Sequence, residues 1–119
     1  MRYMLLIYGQ EGQWGNATEA EQEAEMAKWY SYTAELREAG VSTLGDSLQP
    51  TSTATCVRDN NGEPMVTDGP FAETKEQLGG YYLLEVADLD EAIKWAHKCP
   101  GAARGTIELR PIQEFPDAP

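Results

Sequence analysis

The chain has 119 residues and a mass of 13.2 kDa, room for one domain and too little for two. Twenty acidic against nine basic side chains give a formal net charge of −11, a surface that repels phosphate backbones and argues against a direct nucleic-acid partner. The balance of 41% hydrophobic and 24% charged residues is globular, and no apolar run approaches the roughly 20 residues that span a bilayer.

Residues 2–8 open the chain with a strand, because Tyr3, Met4, Leu5, Leu6 and Ile7 form a near-continuous apolar run suited to cover on both faces. The run is too short for a secretory signal core, and no small-residue cleavage site follows it. Residues 9–15 read as a polar turn with one large apolar residue, Trp14. Thr18 with Glu21 three residues on is a capping-box pattern, and residues 19–39 hold neither Gly nor Pro, so a long helix is predicted. Met26, Trp29, Tyr30, Thr33 and Leu36 recur at spacings of three and four and predict its buried stripe. Glu19, Glu21, Glu23 and Glu25 place negative charge at the positive end of the helix dipole, and Gly40 closes the helix.

Residues 41–48 predict a second strand, interrupted by Gly45 and ended by Pro50, and residues 51–58 a third. Asn60-Asn61-Gly62 signals a hairpin, with Met65-Val66-Thr67 as its short return. Gly79-Gly80, a pair suited to a bulge or a close backbone approach, opens a strand over 81–86. Asp88 caps a second helix whose stripe is Leu89, Ala92, Ile93 and Ala96, and Pro100-Gly101 stops it. A last strand over 106–112 puts Ile107 and Leu109 on one face and Glu108 and Arg110 on the other. This order predicts an α+β fold, a ferredoxin-like antiparallel sheet with two helices on one face and an added hairpin.

The most specific stretch is Thr67-Asp68-Gly69-Pro70-Phe71-Ala72-Glu73-Thr74-Lys75-Glu76. With the opening strand, Ala54-Thr55-Cys56-Val57-Arg58, Gly79-Gly80-Tyr81-Tyr82, the Cys99-Pro100 stop and Glu108-Leu109-Arg110-Pro111, it resembles the DGPF branch of the YCII-related family. The resemblance implies one such domain over residues 1–115, a short tail over 116–119, and a dimeric α+β barrel in which two sheets face each other. It implies no settled reaction. It also implies a context, since bacterial members of this branch accompany extracytoplasmic-function sigma factors. YCII-type relatives outside the branch look as though they use a His–Asp pair with the His on or near the first helix. The one histidine here, His97, sits late in the second helix instead.

Asp68-Gly69-Pro70-Phe71 is a sharp turn in which Pro70 fixes φ and Phe71 is expected to anchor the loop in apolar packing. Asp68 has two readings. It accepts hydrogen bonds from its own turn amides, or it stands partly buried beside a cavity as a proton-transfer group. Glu73, Lys75 and Glu76 form either a ligand clamp, with Phe71 beside it, or a solvated ion-pair cluster. Arg110 is either a fork for a carboxylate or phosphate or the partner of Glu108 in a surface salt bridge. One His and two separated cysteines, Cys56 and Cys99, offer no metal-ligand spacing, no phosphate loop or nucleophile elbow occurs, and no cofactor is expected. Unpaired thiols place the chain in the cytoplasm. The expected function is a homodimer that binds an unidentified small molecule in a regulatory or accessory role, with a sigma factor as associated protein. The alternative is a cofactor-independent lyase, isomerase or hydrolase with Asp68 transferring the proton and Lys75 or Arg110 stabilising negative charge.

Overall fold

The computed structural model describes residues 1–13 and 15–116. Trp14 and the tail beyond residue 116 lie outside the described residues. The elements run β1 (Arg2–Gly9), α1 (Glu19–Glu38), β2 (Leu44–Ser47), β3 (Thr55–Asn60), β4 (Glu63–Asp68), β5 (Gln77–Glu85), α2 (Leu89–Lys98) and β6 (Thr106–Pro111). Two short 3₁₀ turns, Thr51–Thr53 and Pro100–Ala103, precede β3 and β6. Residues 51–53, expected in a strand, thus form a turn, and β5 begins four residues before the expected start.

Both helices start where the sequence marks them. Thr18 Oγ1 accepts from the Glu21 amide at 3.1 Å, and a Glu21 carboxylate oxygen accepts from the Thr18 amide at 3.2 Å, a complete capping box. Those bonds hold the Glu21 carboxyl below its ordinary range. Asp88 accepts from the Glu91 amide at 2.9 Å and starts α2. The β3–β4 turn sits on Asn61 and Gly62, both at positive φ, as a primed hairpin turn requires.

The main sheet has the order β2-β5-β1-β6, and all its neighbouring pairs are antiparallel. With the β3–β4 hairpin set aside, this is the ferredoxin-like order. Tyr3, Leu5 and Leu84 point to the helices and meet Tyr32, Leu36, Ala92, Ala96 and Cys99 in one core. Complete burial of Leu5, Leu36 and Leu84 contributes roughly 1.5–3 kcal/mol each. Tyr32 locks the helix layer, because its ring meets Tyr82 and Trp95 edge-on and its hydroxyl donates to the Trp95 carbonyl at 2.8 Å.

The sheet does not close. β2 and β6 are separate edges, so the barrel implied by the family resemblance is not formed. A four-stranded antiparallel sheet can leave the outer backbone groups of its two edge strands to water, so closure is not required, and its second face stays uncovered. The expected stripe of α1 is also corrected. Its buried positions are Glu25, Tyr32 and Leu36, while Met26 and Tyr30 are 48% and 69% exposed. In α2, Ala92 and Ala96 are buried, whereas Leu89 and Ile93 are half exposed.

Candidate functional site

A cleft of about 480 Å³ opens between the N-terminal half of α1 and the end of the sheet where β1 finishes and β5 begins. Its helix wall is Glu25 together with Met26, Trp29, Tyr30 and Thr33, four residues of the stripe that periodicity assigns to the core. Its sheet wall runs from Ile7 and Gly9 on β1 across Gly79 and Gly80 on β5 to Gly45 on β2. Gly101, Arg104 and Gly105, just before β6, form the third side. Residues 10–13 make the rim. They are pinned by Glu11, whose carboxylate accepts from the Thr51 amide at 2.7 Å and hydroxyl at 2.8 Å, and by a 3.0 Å bond from the Glu11 amide to Gln77.

Three features give the cleft chemistry. Glu25 is 8% exposed, and its carboxylate lies 3.4 Å from Lys28 Nζ and 3.6 Å from Arg104 Nε. A buried carboxylate needs such pairing, because desolvation of an unpaired charge is costly. At the inner end, the Thr33 and Tyr82 hydroxyls share a hydrogen bond of 2.7 Å. Burial raises the Tyr82 phenol above its ordinary value, partly offset by the Thr33 bond. Between these polar ends stand the Trp29 and Tyr30 rings and the Met26 thioether, an apolar middle of the kind small-molecule sites use. A shallower depression between α1 and the end of α2, beside Lys28, Glu35 and Lys98, carries a solvated ion pair of 3.3 Å between Lys98 and Glu35. Such a pair contributes little.

The residues singled out from the sequence fall elsewhere. Asp68 ends β4 exposed, does not line the cleft, and takes no hydrogen bond from its own turn. That turn is held instead by the Gly69 amide donating to Ala54 at 2.7 Å and by the Cys56 thiol donating to the Gly69 carbonyl. Phe71 is 83% exposed and anchors nothing. Glu73 and Lys75 are exposed, and Lys75 forms no ion pair with Glu73 or Glu76. Glu76 is partly buried and accepts from the Thr106 hydroxyl at 2.8 Å, which ties the β4–β5 loop to β6. Arg110 lies exposed on the uncovered sheet face, opposite Met4, and makes no salt bridge with Glu108. Glu108 acts on Tyr8 instead, whose phenol burial and that carboxylate together raise. His97 is exposed in the last turn of α2. Among the described residues no group of three or more His, Cys, Asp or Glu could hold a metal ion.

Glu25 is the residue that sequence reasoning missed, counted there among the dipole-stabilising glutamates. Its signal was register. Positions 25, 29, 32 and 36 follow the helical repeat and share the face that carries Tyr32 and Leu36.

Fold and cleft together define a ferredoxin-like α+β protein with a ligand-sized hollow between its layers. Residues 1–116 match the family model described as the YCII-related domain, and the chain belongs to that family. It is 39% identical over 114 residues to an uncharacterised protein of Rhizobium meliloti (strain 1021), covering 94% of this chain and 92% of that one. Among solved structures, it is similar to 5-chloro-2-hydroxyhydroquinone dehydrochlorinase from Burkholderia phenoliruptrix AC1100, in a complex with 2,5-dihydroxybenzoquinone. The TM-score is 0.57 at 11% identity, over 97% of this chain and 96% of that one, a likeness of fold. No helix among the described residues is long and apolar enough to cross a membrane.

Proposed function

We propose that the protein is an enzyme that moves a proton on a small polar aromatic compound without a cofactor, in a lyase, isomerase or hydrolase reaction. The observation that carries this reading is the buried Glu25 carboxylate facing the cleft beside Arg104, with Trp29 and Tyr30 as its walls. Glu25 accepts the proton, and the Arg104 guanidinium stabilises negative charge that develops on a ring oxygen. The fold neighbour supports the class, because its name is that of a dehydrochlorinase and loss of hydrogen chloride requires a group to take the proton. Asp68 stands outside the cleft lining, so within one chain Glu25 is the better placed acid group.

A panel of hydroxylated and chlorinated aromatics, followed for turnover, tests this. Glu25→Gln is expected to lower kcat by roughly 10²–10⁴-fold with the fold intact, and Asp68→Asn to leave it nearly unchanged. Loss of turnover in Asp68→Asn, with Glu25→Gln still active, returns the proton to Asp68. Binding without turnover across the panel leaves a regulatory small-molecule-binding protein.

The same proposal has two chains pairing through the uncovered sheet face, supported by its apolar centre of Met4, Leu6, Leu44 and Leu83. A cytoplasmic location is supported by two unpaired cysteines, and association with an extracytoplasmic-function sigma factor rests on the family resemblance.

A further inference from the structure

The Tyr82 hydroxyl has no part in the proposed reaction, yet two neighbouring elements fix its place at the inner end of the cleft. On β2, Gly45 stands opposite Tyr82 in the β2–β5 register. A Cβ at Gly45 would fall on the Tyr82 ring and lie 2.7 Å from the Tyr81 carbonyl, so glycine is what leaves the ring its seat. On α1, Tyr32 meets the same ring edge-on, with centroids 5.6 Å apart and planes at 80°. Thr33, the next residue, shares the 2.7 Å hydrogen bond with the phenol.

Two hydroxyls carry two O–H donors, and the bond between them uses one. Among the described residues neither hydroxyl has another hydrogen-bond partner, so one donor is left over. Both residues are partly buried, and the cleft is the space that both line. Burial raises the Tyr82 phenol above its ordinary value, so it stays protonated at neutral pH.

We infer that Tyr82 is a ligand-binding residue, its hydroxyl donating to an acceptor oxygen such as a carbonyl at the inner end of the cleft. Thr33 donates to Tyr82 in turn, and the two bonds in series strengthen each other. Thr33 and Gly45 are positioning residues for that hydroxyl. This inference rests on the cleft being the site of the proposed function. It adds a second anchoring point, opposite the Glu25 and Arg104 end, and the chemical group that meets it.

Acetophenone and α-methylstyrene test it, because they differ by a carbonyl oxygen against a methylene of nearly the same shape. Ligand-observed saturation-transfer NMR titrations give the ratio of ketone to alkene affinity, in which the probes' own hydrophobicity cancels between proteins. Tyr82→Phe keeps the ring and removes the donor, and should lower that ratio roughly three- to tenfold through the ketone alone. Thr33→Val should lower it in part and Thr33→Ser should restore it, while Gly45→Ala should lower it by displacing the ring. The carbonyl stretch of bound acetophenone should lie at lower frequency in the wild-type protein than in Tyr82→Phe. Circular dichroism checks the fold, and if Gly45→Ala fails to fold, Tyr82→Phe and the Thr33 variants decide. An unchanged ratio in Tyr82→Phe, an equal loss of both probes, or no binding of either overturns the inference. A ratio that falls as expected, with Glu25→Gln leaving turnover unchanged, overturns the proton role of Glu25 and leaves this inference standing.

Discussion

Cys99 shows what burial does to a single group. It is 2% exposed in the core, and desolvation pushes its thiol from 9.0 up to about 11. A buried thiol with that pKa is no nucleophile at neutral pH, so Cys99 acts as a packing residue. Between about pH 9 and pH 11 the unfolded chain has lost this proton while the folded chain keeps it. The folded state then binds more protons, so stability is intact below pH 9 and falls as pH rises through that window, by at most about 1.4 kcal/mol per pH unit. The phenols of Tyr8, Tyr32, Tyr81 and Tyr82, also raised from 10.0, add to the fall as pH approaches that value. Urea denaturation at pH 8.0, 8.5, 9.0 and 9.5, compared between the wild-type protein and Cys99→Ala, therefore separates the thiol from the phenols. The wild-type protein should lose stability across the series, and Cys99→Ala should show a flatter slope whatever its absolute stability. Parallel slopes would mean that the thiol ionises alike in both states.

At the scale of elements, the β3–β4 hairpin differs from everything else in the chain. Every residue of β4 is exposed, Cys56 is the one partly buried residue of β3, and the two strands pack mainly on each other. An isolated two-stranded hairpin is marginal in water, so its amides should exchange with solvent orders of magnitude faster than those of β1 and β5. Hydrogen–deuterium exchange read by mass spectrometry checks this, and protection equal to that of the main sheet would show that something covers the arm. The hairpin was legible in the sequence because its Asn-Gly turn is local chemistry, as were both helix starts at Thr18 and Asp88. The face of α1 was not. Apolar spacing marks a surface that avoids water without saying whether a core or a cleft adjoins it, and Met26 and Tyr30 adjoin the cleft. The barrel came from a likeness between families and concerns how sheets assemble, which no local pattern in one chain encodes. The Asp-Gly-Pro-Phe stretch announced its bend and not its distance from the hollow. The cleft's glycines are scattered from position 9 to position 105, and only the β2-β5-β1-β6 order brings them together.

The whole molecule is flat and extended, with extents of 47 × 47 × 20 Å and a radius of gyration of 16.7 Å. A compact chain of this length would have about 13–14 Å. One cause is the arm, and the other is a sheet covered on one side. Alternation puts Met4, Leu6, Tyr81 and Leu83 on the uncovered face, with Leu44 52% exposed at its edge. Arg2, Asp46, Glu85, Glu108 and Arg110 surround them, and the Tyr81 hydroxyl donates to Asp46 at 2.7 Å. An apolar centre inside a polar ring is the anatomy of a protein interface, and one patch serves both partners under two-fold symmetry. Against pairing stands the net charge of −11 on each chain, a repulsion that salt screens while leaving apolar burial intact. The proposed dimer should therefore tighten as ionic strength rises from about 0.01 M to 0.15 M, where the Debye length falls from roughly 30 to 8 Å. Light scattering coupled to gel filtration should return twice the 13.2 kDa chain mass at the higher salt. Leu83→Glu, which sets a charge in the centre of the patch and touches neither core nor cleft, should return the single-chain mass with the circular dichroism unchanged. A wild-type protein that stays at 13.2 kDa at every salt concentration leaves this face bare and ends the case for pairing.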